Sequence, residues 1–330
     1  MRSVRARLLY AAGFVLAGVL LILALRGLKW AEVAASLRGA HPWYVVAGMG
    51  PAMAALWLRA MRWRVLLQAE KAVPRATVFW ANSIGYFGNY VLPARAGELL
   101  RIGAIHLKSG LPLAFVLATA LTERLIDAAV LVAIVSVGVA RRSHLPAWIA
   151  PALTTTAVAA GAGVAVLFAL SHVQRPPEGL YRLLRLSPGV RSRVSSVLDD
   201  LKLGLRALQH GRPALAFFGL TAIIWCCDAT GTLLAARAFD IALPFAGAIV
   251  YVGSLGLSSA IPSAPGYVGM YQFVAVSVLP LYGASKAGAL VFSVVALAFT
   301  FVVVIGFGLA GLLRLRLGIG DARRGAAGGA

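Results

Sequence analysis

The 330-residue sequence has few charged residues, and acidic residues are the scarcest. Only 11 Asp and Glu accompany 31 Lys and Arg, and charged residues make up 13% of the chain. A soluble domain usually carries about a quarter charged residues. Hydrophobic residues reach 60%, and the mean hydropathy is +0.85. No water-soluble core could hide this much apolar surface, so the composition predicts an integral membrane protein.

Cysteine is almost absent, and the residues of common catalytic sites are scattered. Cys226 and Cys227 are neighbours in an apolar run, and adjacent cysteines rarely bridge, so we predict no disulfide framework. The sequence contains no Walker loop and no GxSxG elbow. The five histidines show no metal-ligand spacing: His41, His106, His144, His172 and His210. We therefore expect no cofactor, no metal and no enzymatic activity.

Long apolar runs recur along the chain. Crossing about 30 Å of hydrocarbon takes about 20 helical residues. Leu8–Leu25 follows three arginines but lacks a small-residue cleavage site, so we interpret it as a retained span. Trp43–Trp57 is short and is expected to extend towards Met61, with its arginines reaching the surface. Six full spans are predicted: Leu8–Leu25, Trp43–Trp57, Leu111–Val139, Pro146–Leu170, Pro213–Ala236 and Ala287–Leu313.

Two further apolar regions, 77–110 and 244–283, are interrupted by helix-breaking or polar residues. Interrupted helices occur at membrane depth only where protein or a watery cavity covers the freed backbone groups. Each region is therefore predicted to be a broken helical hairpin. The hairpins are either re-entrant elements of an inverted repeat, as in transporters, or ordinary pairs of spans. The breaking residues are Asn82, Asn89, Pro93 and Gly97 in the first region, and Pro262, Pro265, Gly266 and Gly269 in the second.

The distribution of Lys and Arg predicts the topology. Basic residues concentrate in 59–75, in the loop 171–212 and in the tail 314–324, which we place in the cytoplasm together with the N-terminus. They are expected to contact anionic lipid headgroups rather than nucleic acid. Val194–Leu208 has the spacing of an interfacial amphipathic helix, and Trp30–Leu37 is expected to lie on the outer surface. The predicted fold class is all-α: one polytopic membrane helix bundle over 1–330, with both termini inside and no soluble catalytic domain.

The densest polar cluster runs from Asn89 to Arg101. Arg95, Glu98 and Arg101 are spaced three apart and share one helical face if a helix starts after Pro93. Such a face offers a guanidinium fork for phosphate beside a carboxylate. The alternative is a solvated surface turn that holds an i,i+3 salt bridge.

A second cluster, Glu123, Arg124 and Asp127, lies inside an apolar run. Each charge facing lipid near the midplane would cost about 2.5–3.5 kcal/mol, so the three must face the bundle interior. They form either a polar headgroup site or a structural ion-pair knot. Asp228 is a lone carboxylate in another span, and we expect it to pair with Arg95, Arg101 or Arg124 or to be protonated.

The segment from Pro262 to Gln272 combines prolines that break a helix with glycines that permit close backbone approach. Its free N–H groups could meet an anionic headgroup. With Pro93 and Gly97 of the first hairpin, we assign gating or backbone roles to Pro262, Pro265, Gly266, Gly269 and Gln272.

Four stretches together resemble the membrane domain of lysylphosphatidylglycerol synthases, a flippase-like family also called uncharacterised protein family 0104. They are LRAMRWRVLL (58–67), NYVLPARAGELLR (89–101), TERLID (122–127) and PSAPGYVGMYQ (262–272). The resemblance implies a bundle of about eight membrane segments that moves an aminoacylated phospholipid between leaflets. Gln272 departs from the acidic residue of many relatives. The family pattern falls on Arg95, Gly97, Glu98, Glu123, Arg124, Asp127, Pro265, Gly266 and Gly269.

Two functions follow as hypotheses. The first is a multi-pass protein of the bacterial inner membrane that translocates or handles a charged lipid: a phospholipid, an aminoacyl-phospholipid or a polyprenyl-phosphate-linked sugar. The second is a non-transporting membrane partner or scaffold for a glycosyltransferase or aminoacyl transferase that modifies lipids. For the first, the headgroup site would comprise Asn89, Arg95, Glu98, Arg101, Glu123, Arg124, Asp127 and Asp228.

Overall fold

The computed structural model describes residues 18–26, 29–92, 96–139, 146–172, 199, 202–203, 208–209, 211–258 and 265–317. Every regular element in this part is helical. After a helical stretch at 18–25 come α1 (Trp30–Arg38), α2 (Pro42–Leu67), α3 (Arg75–Val91), α4 (Gly97–Ser109), α5 (Leu113–Val139), α6 (Ile149–His172), α7 (Gly211–Arg237), α8 (Phe245–Ser258), α9 (Met270–Val278) and α10 (Lys286–Arg314), with 3₁₀ turns at Pro265–Tyr267 and Leu279–Tyr282.

The predicted helices agree with this architecture. Within the described residues, α2, α7 and α10 are long and apolar enough to cross a membrane. The predicted spans Leu111–Val139 and Pro146–Leu170 correspond to α5 and α6, and α1 covers the surface helix predicted at 30–37. Most of the predicted helix Val194–Leu208 and most of the first predicted span lie outside the described residues. An all-helical membrane protein is therefore confirmed.

Each of the two regions predicted as broken hairpins contains a pair of short helices. With a rise of about 1.5 Å per residue, α3 is about 25 Å long, α4 and α8 about 20 Å, and α9 about 14 Å, all below the hydrocarbon thickness of about 30 Å. In the first hairpin, α3 ends at Val91, Leu92 is extended, and α4 begins at Gly97, three residues after the start predicted directly after Pro93.

A close backbone contact fixes the first hairpin. A Cβ added to Gly97 would lie 2.0 Å from the carbonyl oxygen of Gly85 and 2.4 Å from the amide nitrogen of Asn89. No side chain can be accommodated at that distance from backbone atoms. Glycine at 97 therefore allows α4 to fold back directly against α3.

The bundle is built around an antiparallel helix pair, α2 and α7. Arg59 of α2 meets Asp228 of α7, whereas Arg62, one turn further along α2, meets Thr221, which is earlier in α7. A Cβ added to Gly48 would lie 2.9 Å from the carbonyl oxygen of Gly231, so small residues let the two backbones approach.

The remaining helices pack in two corresponding sets. Four helices of the first half correspond to four of the second: α2 to α7, α3 to α8, α4 to α9 and α5 to α10. Helices that pack together in one half have counterparts that also pack together. The matched pairs are α3–α10 and α5–α8, α2–α3 and α7–α8, α3–α4 and α8–α9, and α4–α5 and α9–α10. Corresponding helices of the two halves of the chain thus pack in the same arrangement, and each half contains one broken hairpin.

Candidate functional site

A cavity of about 430 Å³ lies between the two halves of the bundle. Five of the residues predicted for the headgroup site line this cavity: Asn89, Glu98, Arg124, Asp127 and Asp228. They come from α3, α4, α5 and α7, so residues far apart in sequence converge on one interior space. Of the three residues predicted to face the bundle interior, Arg124 and Asp127 line this cavity.

Glu123 lies beneath the cavity and is only 2% exposed. Its Oε1 atom accepts a hydrogen bond of 2.8 Å from Nη2 of Arg62, and its Oε2 atom accepts one of 2.9 Å from Nη1 of Arg101. A buried carboxylate is tolerated only when charged partners and hydrogen bonds compensate for its lost hydration. Glu123 therefore joins α2, α4 and α5 through two guanidinium groups.

Arg62 was expected to reach the membrane surface, and that expectation is wrong. Its guanidinium group is buried and also donates a 2.6 Å hydrogen bond to Asp127 and a 3.3 Å hydrogen bond to Thr221. The reason is that α2 continues to Leu67, so Arg62 lies opposite the acidic face of α5. Arg62 is thus part of the site, which its place in a basic segment of the cytoplasmic type does not predict.

Asp228 pairs with Arg59, not with the predicted Arg101 or Arg124. Both members of the pair line the cavity and are partly buried. Because α2 and α7 are antiparallel neighbours, Asp228 of α7 lies next to Arg59 of α2 and pairs with it. Arg59, like Arg62, was assigned to the surface, and for it too this assignment is wrong.

Arg101 and Glu98 form the i,i+3 ion pair that their spacing predicts, with 2.8 Å between Nε and Oε2. The guanidinium group of Arg101 is buried, lies 4.5 Å from the ring centre of Trp63 and also donates to Asn82. Glu98 additionally accepts a 3.3 Å hydrogen bond from the side-chain amide of Asn89. The pair is therefore an interior contact, not a solvated surface turn.

Arg124 is the most accessible arginine of the network, with a side chain 36% exposed. It lies 3.0 Å from Glu98 and 3.6 Å from Asp127. Among the described residues, this network contains four arginines and four carboxylates, so its formal charges cancel. It consists of Arg59, Arg62, Arg101 and Arg124 with Glu98, Glu123, Asp127 and Asp228.

Tyrosines form much of the remaining wall, and sequence reasoning missed them. Five of the nine tyrosines of the chain line the cavity. Two of the stretches that resemble the family contain three of them, but the sequence analysis assigns no role to any of these tyrosines. The five are Tyr86, Tyr90, Tyr251, Tyr267 and Tyr271.

From the break of the second hairpin, Tyr267 lines the same cavity. Gly266 (φ 76°) and Gly269 (φ 83°) have left-handed backbone conformations. A Cβ on Gly266 would lie 2.2 Å from the ring of Phe301. Gln272 accepts a 2.8 Å hydrogen bond from the amide of Gly269 and so caps α9. Three predicted residues, Arg95, Pro93 and Pro262, lie outside the described residues.

No cluster of three His, Cys, Asp or Glu side chains in the described part of the chain has the arrangement of a metal site. Arg62 bridges two of the carboxylates, Glu123 and Asp127. The polar groups of the cavity are thus organised for ion pairing and hydrogen bonding.

Comparison with known proteins gives two matches. The chain is similar to the glycosyltransferase AglD of Haloferax volcanii, with 27% identity over 95% of this chain and 55% of that protein. The chain thus spans about half the length of this curated relative. The family model for the lysylphosphatidylglycerol synthase TM region matches residues 10–308. Since that match covers most of the chain, including every described residue of the ion-pair network, the protein belongs to the lysylphosphatidylglycerol synthase transmembrane-region family.

Proposed function

We propose that this protein is a flippase-like membrane protein that carries the headgroup of a charged lipid through the cavity, between the two leaflets. The observation that supports this proposal most directly is the position of Arg124. Its guanidinium group belongs to an interior network and yet remains accessible from the cavity. A lipid phosphate entering the cavity would meet this arginine, which offers a planar fork of N–H donors.

The other members of the network would hold Arg124 in place and accept the change in charge when phosphate binds. Glu98 and Asp127, the two partners of Arg124, can shift towards Arg101 and Arg62, which already contact them. Arg95 would be a second phosphate ligand. Without such compensation, an anion in this cavity would leave the two carboxylates unpaired.

The two short hairpins would gate the cavity from opposite leaflets. The helices of both hairpins are shorter than the hydrocarbon thickness, and the hairpins occupy corresponding positions in the two halves of the chain. The corresponding long helices, α2 and α7, are antiparallel. These features support a re-entrant, inverted-repeat arrangement, with the binding site between the repeats. In this proposal the protein is not an enzyme, has both termini in the cytoplasm and resides in the bacterial inner membrane as a multi-pass protein.

Leaflet exchange of fluorescent phospholipids in vesicles containing the purified protein tests this proposal. Arg124→Gln should abolish most of the exchange above the protein-free background, because it removes the accessible phosphate ligand. Lys29→Gln is the matched control, since Lys29 is exposed and its ion-pair partner is the exposed Glu32. Equal exchange in both variants would contradict the proposed role of the cavity.

A second function has one specific observation in its favour. The relative AglD is named a glycosyltransferase, and this chain matches only 55% of its length. A chain of this family could therefore act as the membrane partner of a lipid-modifying transferase. In that case the folded protein would show no exchange with any lipid, and substitutions in the cavity would leave the transferase activity of the complex unchanged.

A further inference from the structure

A second concave space, which we call the apolar groove, lies beside α10. Its volume is about 490 Å³, within the range of about 300–1,000 Å³ that is typical of ligand sites. Thirteen of the fourteen described residues that line it are hydrophobic. The exception is Gln272, whose side-chain oxygen already accepts a hydrogen bond from the amide of Gly269. The apolar groove therefore suits a hydrocarbon better than any polar ligand.

The apolar groove is separate from the charged cavity, the space that the ion-pair network lines. On α10, the groove is lined by Leu290, Val294, Leu297 and Phe301, and the charged cavity by Phe292, Ala296, Phe299 and Val303. Each residue of one set lies two positions from a residue of the other, which is a rotation of about 200° around the helix. The two spaces therefore lie on opposite sides of α10, and no described residue of the ion-pair network lines the groove.

The depth of the apolar groove matches one leaflet of a membrane. From Leu290 to Phe301 the helix rises about 17 Å, at about 1.5 Å per residue. This is close to half the hydrocarbon thickness of about 30 Å, and Phe301 lies near the middle of α10. A transmembrane helix of another protein would need a contact surface along the full thickness. The depth of the groove instead fits a hydrocarbon chain of one leaflet.

The shallow end of the apolar groove lies at α1, near the start of α10. The amide of His41, which follows α1, donates a 2.8 Å hydrogen bond to Ala238. Ile241 in turn lies 3.8 Å from the position of a Cβ on Gly288, in the first turn of α10. Trp30 of α1 lines the groove and is 64% exposed. Tryptophan is enriched at the membrane–water interface, so this end is at the level of lipid headgroups.

The deep end is closed by the break of the second hairpin. Val268 and Gln272 line the groove there together with Phe301. A Cβ on Gly266 would lie 2.2 Å from the ring of Phe301, so the break packs directly against this part of α10. A chain that enters from the shallow end therefore terminates against the second hairpin.

Two exposed arginines flank the shallow end. Arg26 directly follows Leu25, which lines the groove, and Arg38 directly follows Leu37, which also lines it. Neither arginine forms an ion pair with any other described residue. Basic residues at a membrane surface attract anionic lipids. Unpaired cations next to an apolar groove complement a phospholipid, in which a phosphate is joined to hydrocarbon chains.

From these observations we propose that the apolar groove binds one hydrocarbon chain of an anionic phospholipid. The phosphate lies beside Arg26 and Arg38, and the chain extends along α10 to the break of the second hairpin. This site is distinct from the charged cavity, and its occupation does not depend on the proposed transport.

Native mass spectrometry of the purified full-length protein with added dioleoyl phosphatidylglycerol tests the site. Val294→Trp and Ala298→Trp each add an indole ring to the groove, at positions that are exposed in the unoccupied protein. We expect one lipid to bind at least about tenfold more tightly than any further lipid. Each variant should bind it about tenfold more weakly, because displacing two or three methylene groups from an apolar site has about this effect.

Val302→Trp is the matched control for the filling variants. Val302 lies on the same helix, is 68% exposed and lines neither the groove nor the charged cavity. This variant should bind the first lipid as the unsubstituted protein does. Arg124→Gln should also retain that lipid, because Arg124 lines only the charged cavity.

Replacing both flanking arginines tests the position of the headgroup. The unsubstituted protein should bind dioleoyl phosphatidylglycerol more tightly than dioleoyl phosphatidylcholine, which has the same chains and no net charge. The double variant Arg26→Gln, Arg38→Gln should bind the two lipids with similar affinity. Each arginine near an anionic headgroup is expected to contribute about a fivefold preference.

Several results would overturn the proposal. They are equal binding by Val294→Trp, Ala298→Trp and Val302→Trp, many lipids bound with one affinity, no lipid bound, or no preference for phosphatidylglycerol. Protein dimers that are lost in the filling variants would make the groove an interface between two copies of the chain. Loss of the first lipid in Arg124→Gln alone would place that lipid in the charged cavity, which refutes the groove site and leaves the transport proposal intact.

Discussion

Arg62 of α2 and Glu123 of α5 are 61 residues apart in the chain, and their charged groups meet at 2.8 Å in a position where both side chains are almost fully buried. Arg101 binds the second oxygen of the same carboxylate. One acidic side chain thus connects the first hairpin to two long helices. We expect the buried groups, Arg62, Arg101 and Glu123, to stabilise the bundle. Arg124 and Asp228 line the cavity, where a ligand could contact them.

Removing the charge of Glu123 should destabilise the protein strongly. Glu123→Gln removes the carboxylate that Arg62 and Arg101 share and leaves each with one carboxylate partner, Asp127 or Glu98. Breaking a buried pair typically costs about 3–5 kcal/mol. Thermal or denaturant unfolding in detergent would measure the loss. The control Glu32→Gln removes an exposed carboxylate and should change stability by less than about 1 kcal/mol. Similar small effects of both substitutions would show that the buried pair contributes little.

The ion pair between Arg59 and Asp228 should couple the two central helices. Arg59→Gln and Asp228→Asn should each destabilise the protein, and the double variant should lose less than the sum of the two. Contacting charged residues typically give coupling energies of about 0.5–3 kcal/mol in such a cycle. Unfolding of the four proteins under one condition measures this energy. A coupling energy of zero would mean that the contact does not join α2 to α7 energetically.

The predicted site contains fewer arginines than carboxylates. Three arginines, Arg95, Arg101 and Arg124, were predicted beside four carboxylates, and a buried network with an unmatched carboxylate is costly. The structure supplies Arg59 and Arg62 from α2. Their role was not predicted because five basic residues within 59–75 fit the rule for cytoplasmic segments, and that rule does not consider tertiary partners.

The correspondence of the two halves was only partly predictable. Pro74 immediately precedes α3 and Pro244 immediately precedes α8, and Gly110 and Gly283 end the hairpins with positive φ angles. These matching turns are visible in the sequence. By contrast, the charges of α5 have no counterparts in α10, so the halves differ where the site is polar. Side-chain pairing depends on which helices become neighbours, and helical periodicity does not specify that.

Gly97→Ala should disrupt the first hairpin, because the new Cβ would lie 2.0 Å from the backbone oxygen of Gly85. Gly103 is in the same helix, and a Cβ there meets nothing within 4 Å. Gly103→Ala should therefore be neutral or stabilise the protein by up to about 1 kcal/mol, as alanine normally does in a helix. Comparing the unfolding of the two variants isolates the steric effect. If Gly97→Ala were as stable as Gly103→Ala, the close contact of α3 and α4 would be refuted.

Gly266→Ala should be more harmful than Gly283→Ala, although both glycines have positive φ angles. Each substitution should lower the free energy of unfolding by about 1–2 kcal/mol, because alanine is strained in the left-handed conformation. At Gly266 the new methyl group would also lie 2.2 Å from the ring of Phe301, whereas at Gly283 nothing lies within 4 Å.

Removing the ring of Phe301 should therefore rescue Gly266→Ala and not Gly283→Ala. Adding Phe301→Ala to Gly266→Ala should cost less stability than Phe301→Ala costs alone, while adding it to Gly283→Ala should cost the same as alone. Unfolding of the single and double variants measures both differences, and equal costs in the two backgrounds would show that Phe301 does not constrain the break of the second hairpin.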